Sequence, residues 1–275
     1  MAPCTSGRPS AASALFGTAT SAAALLPTTW TVSPPGGGGQ FTTIQAAIDA
    51  ASPGDTVLVL AGTYAHFVLS KGLNVVGVGS GLVTVSETGN PPPFLPVQVI
   101  GIPAGERALV AGMSVEIVSS FPVLGAIFCL GNPPTAAVTV SACAGPVALS
   151  DLAIDPGHYF HGVFASQGTL VLMDHVQVSG TAITGCGGPG NFPCLFVPAC
   201  VRKGVVASGT NLSLGASSVL GNSGSSALQI EGPVQALLGG SSLLGADGVS
   251  IGCSSFTPQA QTGLPGGNGL EAAAG

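Results

Sequence analysis

The stretch from Asp151 to His175 concentrates the side chains that could do chemistry. It holds Asp151, Asp155, His158, Tyr159, His161, Asp174 and His175, with three of the chain's eleven carboxylates and three of its four histidines. Asp151, in Leu149-Ser-Asp-Leu, recurs as Asp174, in Leu172-Met-Asp-His, 23 residues later. If these segments stack on neighbouring turns of a repeat, the two carboxylates come within about 5 Å and repel by roughly 1 to 3 kcal/mol. Calcium between them, a shared proton or splaying into water would relieve the pair. A shared proton makes one carboxyl a general acid, with His175 close by. The simpler reading is structural, since Asp in a turn bonds its own backbone and tolerates a left-handed conformation.

Other candidates surround this pair. His158-Tyr-Phe-His161 follows Pro156-Gly157 and reads as a loop. Its His158, Tyr159 and His161 could stack on or contact a sugar, or two histidines could ligate a metal, although no third ligand is evident. Arg202-Lys203 is the one adjacent basic pair. Arg202 is either a substrate contact or part of a solvated loop face. Six cysteines follow Cys4: Cys129, Cys143, Cys186, Cys194, Cys200 and Cys253. An even count suits disulfides, with free buried thiols as the alternative, and the spacings among Cys186, Cys194 and Cys200 are too wide for a common zinc pair. The Gly36 to Gly39 run lacks the Lys-Ser/Thr of a phosphate loop. No Gly-x-Ser-x-Gly elbow occurs.

The elements that must position these residues are short strands. Glycine (43) and proline (22) make up nearly a quarter of the chain, and only 6% of residues are charged. That density of Gly and Pro rules out a helical bundle, and the hydrophobic content of 46% argues against disorder. A net charge of −6 with no basic stripe excludes nucleic-acid binding by charge. No continuous apolar run is long enough for a spanning helix, so membrane insertion through a helix is not expected. Short apolar segments recur instead: Val57 to Leu60, Asn74 to Val76, Val97 to Ile100, Val115 to Val118, Val147 to Leu149, Leu152 to Ile154, Leu170 to Leu172 and Val176 to Val178.

An internal repeat orders them. Gly162-Val-Phe-Ala-Ser aligns with Gly204-Val-Val-Ala-Ser, then with Ala227-Leu-Gln-Ile-Glu and Gly248-Val-Ser-Ile-Gly. The anchors Val163, Val205, Leu228 and Val249 are 42, 23 and 21 residues apart, and the first interval is one period plus an insertion. A period near 22 is one coil of a solenoid, whose stacked coils bury a continuous core. About nine coils and a rod about 45 Å long are expected. One helix, 43–51, places Ile44, Ala47, Ile48 and Ala51 on one face and suits a cap over the first coil. Residues 1–28 read as a weak secretory signal led by Arg8 or as an unstructured tail. The solenoid is expected over 29–256, with a cysteine-rich loop insertion at 185–201, and 257–275 as a loop-like tail.

The segment Phe41-Thr-Thr-Ile-Gln-Ala-Ala-Ile-Asp-Ala-Ala-Ser-Pro-Gly-Asp-Thr-Val-Leu-Val-Leu-Ala-Gly-Thr-Tyr64, followed by Leu73-Asn-Val-Val-Gly-Val-Gly79, resembles the N-terminal signature of the pectin-lyase-like superfamily. The resemblance implies an all-β, right-handed parallel β-helix. Its members include pectate lyases, pectinesterases, polygalacturonases and many surface proteins, so the fold does not fix a reaction. The pectinesterase pattern places Glu after Gly-x-Tyr, whereas Gly62-Thr-Tyr64 is followed by Ala65 and His66. The Gln-Asp pair and the Asp-Phe-x-Phe-Gly and Arg-Pro-Trp stretches are absent. So are the Asn-Thr-Asp, Asp-Asp, Gly-His-Gly and Arg-Ile-Lys stretches of polygalacturonases.

Two functions follow. The first is a secreted or surface module that binds carbohydrate or serves as a rigid scaffold and needs no cofactor. The second is a divergent polysaccharide lyase or glycoside hydrolase built on Asp151, Asp174 and His175, with calcium at the aspartates. A polysaccharide partner fits the carbohydrate-binding and enzyme readings, whereas a rigid scaffold requires none.

Overall fold

A computed structural model describes residues 26–88, 95–118, 136–157, 160–179, 203–221, 226–232, 235–245, 250–253 and 270–273. The chain enters through strand β1 (Thr29–Val32) and helix α1 (Ile44–Ala50). Thr43 caps the helix, its Oγ1 accepting the Ala46 N–H at 3.3 Å. Ile44, Ala47 and Ile48 are buried, so the apolar face read from the sequence is the face that covers the core.

The chain then coils. The first coil is β2 (Thr56–Val59), β3 (Gly62–Tyr64) and β4 (Phe67–Leu69); the second is β5 (Asn74–Gly77), β6 (Val83–Thr88) and β7 (Val97–Ile100). In the third and fourth, long bent strands replace the first pair: β8 (Ala108–Val118) with β9 (Ala136–Ser141), then β10 (Val147–Asp155) with β11 (His161–Ser166). The fifth is β12 (Leu170–Asp174), β13 (Gln177–Val178) and β14 (Val205–Ser208), and the sixth is β15 (Asn211–Gly215), β16 (Ser218–Leu220) and β17 (Leu228–Glu231). The seventh opens with β18 (Ala236–Gly239) and β19 (Ser241–Leu244) and closes with β21 (Leu270–Ala273), after β20 (Ser250–Cys253).

Equivalent strands pair in parallel and form three faces. The first face runs β1-β2-β5-β8-β10-β12-β15-β18, using the N-terminal halves of β8 and β10. The second runs β3-β6-β8-β10-β13-β16-β19 through their C-terminal halves. The third is the seven-stranded sheet from β4 to β21. This is a parallel β-helix, as the composition and repeat predict.

Inward residues stack into columns. One runs Val57, Val75, Val110, Leu149, Met173, Leu214, Leu238, all buried. Another runs Phe67, Val97, Val138, Val163, Val205, Leu228. Similar chemistry stacked at about 4.8 Å fills a narrow core with aliphatic side chains and leaves little room for charge.

Between faces the chain bends through left-handed residues that also align. After the first face stand Gly112, Asp151, His175, Ala216 and Gly240, with φ from 43° to 67°. After the third stand Gly101, Ala142, Gln167, Gly209 and Gly232, with φ from 52° to 79°. At Gly112 glycine is required twice over, because a Cβ there would also run into the Gly77 carbonyl of the coil below.

Three expectations need correction. Seven coils are present among the described residues, not nine, because several coils carry insertions; the rod is about 30 Å long. Gly248 to Gly252 is not the next repeat: β20 runs antiparallel to β19. The true successor of Leu228 is Leu270, at the same interval that separates Val163 from Val205. Residues 257–275 are therefore not all loop. The expected insertion at 185–201 and most of the N-terminal segment 1–28 lie outside the described residues.

Candidate functional site

The ladder register separates the pair on which the sequence reading rested. Asp174 lies opposite Ser150 and Gly215, and Asp151 sits at the following bend, in register with Gly112 and His175. Asp151 and Asp174 are therefore diagonal, one at a bend and one at the end of a strand. The ladder pairs β12 with β10 one position away from the alignment that would superpose the two aspartates. Both are exposed. Asp151 takes a hydrogen bond from Ser150 Oγ at 3.0 Å, and Asp174 Oδ2 pairs with His175 Nδ1 at 3.0 Å. No group of three or more His, Cys, Asp or Glu side chains among the described residues could hold a metal ion.

The other predicted residues scatter. His161 is buried at the start of β11, where its Nδ1 accepts the Lys203 N–H at 2.9 Å. That bond joins two neighbouring coils. His158, Tyr159 and Arg202 lie outside the described residues, as do Cys129, Cys186, Cys194 and Cys200. The backbone of Cys253 is described, but not its side chain. Cys143, proposed for a disulfide, is a free and buried thiol whose Sγ contacts the Ser141 carbonyl at 3.3 Å and the Val99 carbonyl at 3.6 Å.

The structure brings other polar residues together on the second face. An open groove of about 400 Å³ runs across four coils there. Two outward columns line it: Ser114, Ala153, Gln177 and Ser218, and beside them Glu116, Asp155, Ser179 and Leu220. Period-two alternation builds this surface, since Val115, Ile154 and Val178 point into the core between the groove residues. Glu116 and Asp155 are register partners on adjacent strands, so this is the pair of carboxylates that stacks. Asp155 Oδ1 also accepts the Gly157 N–H at 2.9 Å, which fixes its carboxyl at the groove rim. Asp155 was visible within the Asp151 to His175 cluster. Glu116 was missed because it lies on the preceding coil, across an insertion that hides the coil spacing.

A second polar pair sits at a corner between faces. Glu87 is buried, and its Oε1 accepts the His66 N–H at 2.9 Å and meets His66 Nδ1 at 2.7 Å. At the entry end, buried Asp55 accepts N–H bonds from Thr28, Ser52 and the Trp30 indole at 2.7, 2.9 and 3.0 Å. These donors hold its carboxyl below the ordinary value of 3.8, with Lys71 adding a smaller pull against the opposing effect of burial. Asp55 is thus a clamp joining β1 to the first coil.

No protein-family model matches the sequence, and no curated protein matches it. The fold is similar to solved structures. Pectin methylesterase PemA from Erwinia chrysanthemi superposes with a TM-score of 0.46 at 12% identity, covering 74% of this chain and 59% of that one. This chain thus spans less than two thirds of that enzyme's length. A pectin methylesterase mutant in complex with a hexasaccharide gives 0.40 at 11% identity, covering 82% and 85% of the two chains. A further pectin methylesterase–hexasaccharide complex gives 0.40 at 12% identity, with the same coverage. The likeness is one of fold alone, and the parallel β-helix is read from this chain's own strand ladders.

Proposed function

We propose that this chain is a secreted or surface β-helix module that binds an extended carbohydrate along the groove of its second face. The observation that supports this reading is the groove itself. Hydroxyl, amide and carboxylate groups stand in two parallel columns with a coil spacing of about 4.8 Å, so that each of the four coils offers at least one polar side chain and only Ala153 and Leu220 interrupt the columns. A chain of linked sugars presents hydroxyls in a comparable linear array, and rigid strands keep the protein's array preorganised. Among the described residues no aromatic ring lines the groove, so hydrogen bonding carries recognition there. The test is a panel of soluble polysaccharides and hexasaccharides scored for binding and for chain cleavage, with Gln177→Ala and Ser218→Trp beside the wild type. Binding that Ser218→Trp abolishes supports the groove. Binding untouched by both substitutions refutes it.

The register of Glu116 with Asp155 favours one second reading, a divergent glycoside hydrolase. Adjacent strands bring two carboxylate-bearing residues into register on neighbouring coils, and retaining glycosidases work with a close carboxyl pair. Cleavage in the same panel, lost in Glu116→Gln and in Asp155→Asn, would support it.

A further inference from the structure

The charge of the groove argues for one class of sugar chain over another. Its two ionisable side chains, Glu116 and Asp155, are both acidic and are register neighbours. The chain has only five cationic side chains. Of the three in described residues, Lys71 is bound to the carbonyls of Ala51 and Asp49, Arg107 precedes β8, and Lys203 lies ahead of β14; none lines the groove. The sequence between the described strands adds little more charge. Segments 119–135, 180–202, 222–225 and 246–249 contain Arg202 and Asp247 as their only Lys, Arg, Asp or Glu residues. Among the described residues that line it the groove is therefore net negative, with Glu116 and Asp155 charged and no Lys or Arg beside them.

Resting on the carbohydrate-binding reading above, we infer that the groove selects a cationic amino-sugar chain and rejects a polyuronate. A uronate carboxylate laid over Glu116 and Asp155 meets like charge with no cation among the described lining residues to offset it, whereas a glucosamine ammonium finds two acceptors. Neutral sugars fall between, because they keep the hydroxyl contacts and gain nothing from the charge.

The experiment is calorimetric titration of the full chain with three hexamers at mildly acidic pH: glucosamine, its N-acetylated form and galacturonate. Wild type is expected to bind the glucosamine hexamer at least about tenfold more tightly than the galacturonate hexamer, with the gap shrinking as salt rises. The isosteric double variant Glu116→Gln/Asp155→Asn is expected to bind all three within about threefold of one another. Galacturonate binding as tight as glucosamine binding in the wild type would overturn the inference and leave the groove reading standing. A preference that survives in the double variant would also overturn it, by placing the selecting charge elsewhere. Failure of all three hexamers to bind a natively folded wild type would refute the groove reading itself.

Discussion

Asp55 shows how much one side chain contributes where a solenoid begins. It accepts three N–H bonds that join the start of β1, the turn after α1 and the Trp30 indole. Asp55→Ala leaves those donors unsatisfied and is expected to cost about 2 to 3 kcal/mol, measured by urea unfolding at neutral pH. Because the folded carboxyl titrates below 3.8, the native state sheds its proton more readily than the unfolded state. Its contribution is complete above the unfolded value and is lost as pH falls through the depressed folded value. The gap between wild type and Asp55→Ala should therefore narrow at strongly acidic pH and stay constant around neutrality. Cys143 makes a separate prediction at this scale. Its thiol is buried and free, so iodoacetamide should label it only after unfolding, as read by peptide mass spectrometry. Rapid labelling of the native protein would contradict the placement of that strand end. The sequence could not separate a free thiol from a disulfide here, because pairing depends on three-dimensional distance, not on an even count.

At the scale of elements, the bends between faces are the least forgiving positions. Ala216 sits at φ 43° between His175 and Gly240 in the bend column. Ala216→Gly should relieve left-handed strain and raise stability by roughly 1 kcal/mol, whereas glycine in a strand would lower it. Gly112→Ala goes the other way and is expected to cost more than about 2 kcal/mol, since its Cβ meets the Gly77 carbonyl. Thermal melts of the two variants test both signs. Within the core columns, Met173→Ala removes a buried side chain between Leu149 and Leu214 and should cost about 2 to 5 kcal/mol, read by the same melts. The strands themselves were legible in the sequence, since Val57 to Leu60 and Val147 to Leu149 stand out as short apolar runs between turns. The register was legible at the core anchors, even across the insertion between Val163 and Val205, and not at the bends. Val163, Val205 and Leu228 align as read, yet Asp151 and Asp174 miss each other by one position. A slip of one residue in a parallel ladder moves a side chain to the other surface or into a bend, so it decides the site even when it leaves the fold unchanged.

For the whole molecule, the β-helix explains the composition. A core of stacked aliphatic columns needs Val, Leu and Ile, bends need Gly, and a small cross-section leaves few positions for charge. The fold class follows from periodicity, because coil after coil contributes to the same three faces. The groove proposed as the binding surface does not, because it is assembled from outward residues of separate coils, distant from one another along the chain. Glu116, Asp155, Gln177 and Ser218 carry no local motif and become neighbours only once the coils stack. Whether a sugar chain lies in that groove is read out by an NMR titration of isotopically labelled protein with the glucosamine hexamer. Shifts are expected to concentrate at the amides of Ser114, Glu116, Ala153, Asp155, Gln177 and Ser218. Shifts centred on Asp151, Asp174 and His175, or no shifts at all, would contradict the groove as the binding site.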